Sequence, residues 1–155
     1  MHTRLAQPQD LEQLVVLGRL LLTLHQTFDQ TYYQLDEQFD EKFGDFLAQH
    51  INHSHQFIIV ALDDTRVIGF ISGFVKALYP WFTVKSVGHI SYLVTKPEVR
   101  RTGVGKALEK AALAWFKEKN VNYVEVYTDE KNSVGTIVWD KLGYMPFKKF
   151  LRKTV

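Results

Sequence analysis

Residues Leu93 to Lys106 read LVTKPEVRRTGVGK, and the rest of the chain is organised around them. An alternating apolar run ends at Pro97, two arginines follow, and Gly103-Val104-Gly105 opens a predicted helix. Gly103 and Gly105 lack a Cβ, so the backbone there adopts conformations closed to other residues and lets an anion come close. The free N–H groups of a helix's first turn and the positive end of its dipole then face that anion. Arg100, Arg101 and Lys106 add positive charge at the rim. The stretch reads as a pyrophosphate cradle. Two familiar glycine loops do not fit it: a Walker A loop needs a hydroxyl where Ala107 stands, and a dinucleotide fingerprint needs a glycine where Leu108 stands.

The chain of 155 residues is about one domain in length, and with 46% apolar residues it is a folded globule. A net charge of +2 gives no argument for nucleic acid or membrane, and the basic cluster Lys148, Lys149, Arg152, Lys153 reads as a solvated tail. There is no cysteine, which excludes disulfides, a thiolate nucleophile and cysteine metal ligands. The first ten residues lack the pattern of a signal peptide, and Leu14–Leu24 is too short and too interrupted to cross a bilayer. The expectation is a soluble cytoplasmic protein. His50, His53 and His55 have no carboxylate beside them, so they read as a loop and no metal is expected.

In order, Thr3–Ala6 predicts a first strand. Asp10 and Gln13 have capping-box spacing before a helix with Leu11, Leu14, Val15, Leu21 and Leu24 on one face. A second helix begins near Asp36 and carries Phe39, Phe43, Phe46, Leu47 and Ile51. Gln56–Leu62 and Arg66–Leu78 form a hairpin, and Ser86–Thr95 is a strand leading into the cradle. A third helix spans about Gly105 to Lys119, burying Leu108, Ala111, Ala112 and Trp115. Val121–Thr128 is a strand, Ser133–Leu142 a helix stopped by Gly143, and Met145–Leu151 a last strand. Strand, cradle, helix and strand make a βαβ unit with a parallel pair.

Two motifs carry a resemblance. Arg100-Arg101-Thr102-Gly103-Val104-Gly105 resembles the Arg/Gln-x-x-Gly-x-Gly/Ala acetyl-CoA loop of the GNAT superfamily of N-acetyltransferases. Asn132-Ser133-Val134-Gly135-Thr136-Ile137-Val138-Trp139-Asp140-Lys141-Leu142-Gly143-Tyr144 is similar to that family's Asn-x-x-Ala-x-x-Leu-Tyr-Glu-Lys-Leu-Gly-Phe segment. The opening TRLAQPQDLEQL looks like its usual Arg-x-Ala-x-x-x-Asp-Leu start.

The resemblance implies an α/β (α+β) fold: a mixed, mostly antiparallel sheet of about six or seven strands, parallel only where strands four and five splay apart, with about four helices. It implies acetyl-CoA as cosubstrate and direct transfer to an amine in a ternary complex. The backbone of Leu93, Val94 and Thr95 would lie along the pantetheine arm, Arg100 to Lys106 (with Thr102, Gly103, Val104 and Gly105) would hold the pyrophosphate, and strand-four N–H groups would stabilise the oxyanion. Asn132 would bond the arm, although a helix N-cap explains it equally.

An alkylammonium has a pKa near ~10.4, so attack on a thioester at neutral pH calls for a base. By resemblance two positions serve: His89 matches a histidine of some arylalkylamine-acetylating relatives, and Glu125 a glutamate of relatives that acetylate protein N-termini. Trp139 departs from the pattern, because the family usually has there a tyrosine that protonates the leaving thiolate. Tyr127, Tyr144 and Ser133 are the nearby hydroxyls; otherwise the thiolate leaves unaided. Gly135 replaces an alanine and is expected to weaken its helix.

The segment HQTFDQTYYQLDEQF, between the first two helices, would wall the acceptor pocket with Phe28, Tyr32, Tyr33, Asp29 and Asp36, and core packing or capping explains the same residues. A small amine, a peptide N-terminus and a protein lysine all stay open as acceptor, and so does a homodimer. The alternatives are a CoA-binding regulatory module without catalysis and an unrelated phosphate-binding enzyme with a Gly-x-Gly turn.

Overall fold

The computed structural model describes residues 1–155. Five strands, β1 (His2–Leu5), β2 (Gln56–Asp63), β3 (Arg66–Ala77), β4 (Ser86–Thr95) and β5 (Val124–Val126), form one sheet in sequence order. The first four are antiparallel neighbours, and β4–β5 is parallel. Helices α1 (Leu11–Gln26) and α2 (Phe39–His50) cover one face of the sheet and α3 (Val104–Glu118) the other, while α4 (Ser133–Lys141) follows β5.

Each sheet face has its own core. Leu14, Leu17, Phe43 and Leu47 meet Val60, Phe70 and Val94 on one side. On the other, Val104, Leu108, Ala112 and Phe116 meet Phe57, Ile71 and Ile90. The α3 stripe is thus rotated slightly from the predicted one: Phe116 is buried, whereas Ala111 and Trp115 pack at the rim. β2 and the first half of β3 are apolar on both faces, as strands covered twice must be. Helices α1 and α2 cross at Gly18, where a Cβ would overlap the Phe43 ring.

Three expectations are corrected. The sheet has five strands rather than six or seven, and Met145–Leu151 forms none. Of Val121–Thr128 only Val124–Val126 pairs, because β4 and β5 diverge beyond Ile90 and Val126 and a strand exists only where a neighbour completes its hydrogen bonds. The capping box at Asp10 and Gln13 is absent. Arg4 takes the Asp10 carboxylate in a two-pronged ion pair at 2.6 and 3.0 Å, the Gln7 N–H adds a third bond, and Gln13 Oε1 instead accepts the Val67 N–H beside a bulge at Ala61/Leu62. The Arg-x-Ala-x-x-x-Asp start therefore pins β1 to the head of α1.

No helix is long and apolar enough to cross a membrane. His50 sits at the end of α2 with Nδ1 2.7 Å from the Phe46 carbonyl, and His53 Nδ1 accepts the His55 N–H, so two of these rings serve local backbone.

Candidate active site

Between Pro97 and α3 the backbone turns through left-handed conformations at Arg101 (φ 64°) and Gly103 (φ 93°). This alternation aims successive amides to one side, the geometry of an anion nest. The backbone N–H groups of Arg101 through Lys106 donate to no acceptor in the chain; the first amide to close the helix is that of Ala107, on the Gly103 carbonyl. A Cβ added at Gly103 or Gly105 would meet nothing within 4 Å, so the space before these amides is open. Arg100, Arg101 and Lys106 are exposed and take part in no ion pair of the structure, whereas Val104 is buried and anchors the turn. These residues fit a bound pyrophosphate: six unpaired donors, three free cations and no side chain in the way.

Next to the cradle, β4 extends five residues, Ser91 to Thr95, beyond its last partner on β5. Leu93, Val94 and Thr95 pair with β3 on one edge and have no strand on the other, an edge suited to the amides of an extended ligand arm.

A bulge decides which β4 side chains face which core. Ser72 pairs with Tyr92 and Gly73 with Ile90, leaving Ser91 unmatched. One inserted residue reverses the alternation. Ile90 and Leu93 both belong to the α3 side, Tyr92 and Val94 to the α1/α2 side, and His89, beside Phe74, shares the latter.

On that side His89 and Glu125 are register partners across the parallel pair, so the two predicted bases stand together. His89 is buried between the rings of Phe74 (4.9 Å) and Tyr127 (4.7 Å), and its Nδ1 has no hydrogen-bond partner. Burial, and then the charge of Lys76, pull the imidazolium pKa below its usual value, against a smaller upward pull from Glu125. His89 is therefore neutral at pH 7, with a lone pair or N–H to offer.

Glu125 is engaged: the Lys76 ammonium donates to it at 2.5 Å and reaches the Tyr127 hydroxyl at 3.4 Å. That hydrogen bond holds the Glu125 carboxyl below the usual carboxylate range. Burial lowers the Lys76 ammonium, but the bonds to Glu125 and Tyr127 outweigh it and raise its pKa. Lys76 escaped the sequence reading, although a lone lysine late in the apolar run VIGFISGFVKA was the available signal.

Asn132 caps α4: its Oδ1 accepts the Gly135 N–H at 2.8 Å, leaving Nδ2 as a donor. A Cβ on Gly135 would press on Asn132 at 2.5 to 3.0 Å, so the glycine makes room for the cap rather than merely weakening the helix. Trp139 packs edge-on against Tyr144 (5.1 Å) in the α3-side core. The Tyr144 hydroxyl lies 3.4 Å from the Glu109 carboxylate, and burial, then Glu109, raise its pKa far above the usual phenol value. Tyr144 thus lies on the α3 side with its hydroxyl turned to Glu109, on the opposite face of the sheet from His89. Tyr127 remains beside His89, and Ser133 opens α4.

The segment joining α1 and α2 is tied to the β5–α4 connection. The Tyr33 hydroxyl donates to Asp129 at 3.0 Å, and Lys131 donates to the Phe28 carbonyl at 2.7 Å. The same short connection leads directly into Asn132. Asp36 is taken up locally, bonding the Gln38 N–H and Lys42.

Known proteins resemble the chain in sequence and in fold. A "Mycothiol acetyltransferase" of Thermobispora bispora is 33% identical over 58 residues, 37% of this chain; the chain spans a fifth of that relative's length. Among solved structures, a tetramutant of the BH1408 protein from Bacillus halodurans superposes with a TM-score of 0.86 over all of both chains at 17% identity. Aminoglycoside 6'-N-acetyltransferase AAC(6')-IG from Acinetobacter haemolyticus gives 0.80 at 16% identity, covering 100% of this chain and 98% of its own. AAC(6')-Iy, solved with the bisubstrate analogue CoA-S-monomethyl-acetylneamine, gives 0.76 at 20% identity, covering 99% and 98%. The description of the acetyltransferase (GNAT) family matches residues 21–144, from the middle of α1 through the cradle to Tyr144. With the unpaired amides and the splayed strands falling inside that match, the chain belongs to the GNAT acetyltransferase family.

Proposed function

We propose that this chain transfers an acetyl group from acetyl-CoA to a primary amine by direct attack within a ternary complex. The observation that carries the reading is the run of six unpaired amides from Arg101 to Lys106 beside the unpaired edge of β4. Acetyl-CoA, when bound, supplies the activated thioester and a leaving thiol of pKa about 8.5. The cradle amides with Arg100, Arg101 and Lys106 bind its pyrophosphate, the edge of Leu93 to Thr95 aligns its arm, and Asn132 Nδ2 donates to it.

His89 takes a proton from the acceptor's ammonium, and the neutral amine so formed attacks the thioester carbonyl as the thiolate leaves. His89 is neutral, buried and has an unpartnered ring nitrogen, whereas Glu125 is held charged by Lys76 and orients rather than titrates. A small-molecule amine is the acceptor class we favour, supported by the bisubstrate complex of AAC(6')-Iy. Trp139, packed on Tyr144 where the family usually has an acid, favours a second reading, a CoA-binding regulatory module.

Calorimetry with acetyl-CoA and a CoA-release assay over an amine and peptide panel separate the two. Binding with turnover is expected, and turnover lost in His89→Ala but largely kept in Glu125→Gln. Binding without any turnover supports the regulatory reading, and no binding sinks both.

A further inference from the structure

Residues 145–155 form neither helix nor strand, and their backbone makes no hydrogen bond to the body of the protein. Phe147, Phe150 and Leu151 are exposed, so apolar burial does not hold this tail either. Three side chains fasten it. Lys148 Nζ lies 3.8 Å from Glu125 Oε1, the Phe150 ring stacks on Tyr127 at 6.3 Å, and Arg152 donates to Asp29 at 2.8 Å with its guanidinium 4.7 Å above the Tyr32 ring.

The receiving groups share one location. Glu125 and Tyr127 flank His89, while Asp29 and Tyr32 belong to the segment tied to Asp129 and Lys131 in front of α4. The tail therefore spans the acceptor side of the site and brings two cations and a ring to two carboxylates and two rings. Both cations of the tail are exposed, at 60% and 57%, although the carboxylates they reach are partly covered, so salt screens these pairs from the tail side and a ligand with the same groups can take the tail's place on the same carboxylates.

We propose that residues 148–152 stand in for the acceptor, and that the true acceptor is an amine bearing a second positive charge. The reactive amine replaces Lys148 beside Glu125 and His89, the second cation replaces Arg152 on Asp29 and Tyr32, and the tail swings away. This rests on the acetyltransferase reading for the chemistry of the site, but not for the displacement.

The test uses the full chain and a triple variant, Lys148→Gln, Phe150→Ala, Arg152→Gln, with 1,4-diaminobutane and butylamine as probes. Freeing the site of its occupant raises the competent fraction, so KM for 1,4-diaminobutane falls about 5-fold or more in the variant. Affinity for acetyl-CoA is unchanged, and KM for butylamine falls by a similar factor but stays well above that for the diamine in both proteins. Independently of turnover, nitrogen-15 relaxation of residues 147–152 in the unmodified chain shifts to that of a free peptide on adding 1,4-diaminobutane, and not on adding butylamine.

Turnover with unchanged KM and unchanged tail relaxation overturns the proposal, and equal KM values for the two amines, or equal release of the tail by them at one concentration, overturn the two-cation requirement. Release of the tail by the diamine without turnover in either chain upholds the displacement and sinks the acetyltransferase reading.

Discussion

The Lys76 ammonium sits 2.5 Å from the Glu125 carboxylate and within the field of His89, making it the electrostatic pivot of the site. Its charge depresses the His89 pKa, and its hydrogen bond depresses that of Glu125. In Lys76→Met the brake on His89 is lifted while the upward pull of Glu125 remains. The acid limb of the pH profile of kcat/KM then moves to higher pH. An acid limb unmoved or displaced to lower pH contradicts this. The Glu125 carboxylate then loses its hydrogen-bonded partner and keeps only Lys148 at 3.8 Å, a loss of about 1–3 kcal/mol of stability, measurable by urea unfolding.

His89 also makes stability depend on pH. Its folded pKa lies below the unfolded value of about 6.5, so in that window the unfolded chain binds more protons. The contribution is complete above pH 6.5 and is lost as pH falls through the folded pKa. His89→Phe, which keeps a ring between Phe74 and Tyr127, flattens the decline, by about 1.4 kcal/mol for each unit by which the pKa is depressed. Parallel stability curves for the two proteins between pH 5 and 7.5 would exclude this role.

Glu109 acts in the opposite direction. Burial raises its pKa, with Tyr144 and Lys106 opposing, so its contribution is fully present below the unfolded carboxylate value and is lost as pH rises through the folded one. Glu109→Gln keeps a partner for Tyr144 without a buried charge. The variant is expected to gain about 1 kcal/mol at pH 7 and to gain nothing at pH 4, where the native carboxyl is already protonated. Equal gains at both pH values would refute the charge explanation.

At α4, Gly135→Ala sets two effects against each other. Alanine favours the helix by about 0.8–1 kcal/mol, and displacement of the Asn132 cap removes about 1 kcal/mol. Thermal stability therefore changes little, whereas acetyl-CoA affinity falls because Asn132 is pushed off its position. Unchanged affinity by calorimetry would show that Asn132 serves the helix alone.

The elements whose boundaries the sequence predicts well are those with a strong local cause. β4 ends at Thr95 as read, before Pro97, and α4 ends just before Gly143, whose φ of 89° needs a residue without a Cβ. The turn before α3, with its unpaired amides, is legible because its backbone depends on glycine spacing within one short stretch. Misread features depend on distant partners. The shortness of β5 and the missing last strand come from the divergence of β4, and Asp10 forsook its helix because Arg4 lies across from it. The bulge at Ser91 has no signature in GHISYLVT, since strict alternation would put His89 and Leu93 on one face. Lys76 and Arg152 became visible only once folding set them against Glu125 and Asp29.

The six unpaired amides of the cradle carry one more consequence. Their donors belong to the main chain, so nearly any residue that tolerates the turn presents the same N–H, and drift at these positions leaves the anion site standing. The Lys76–Glu125 ion pair, by contrast, depends on two particular side chains, so one substitution at either position removes it. The turn is thus robust to substitution where the ion pair is not.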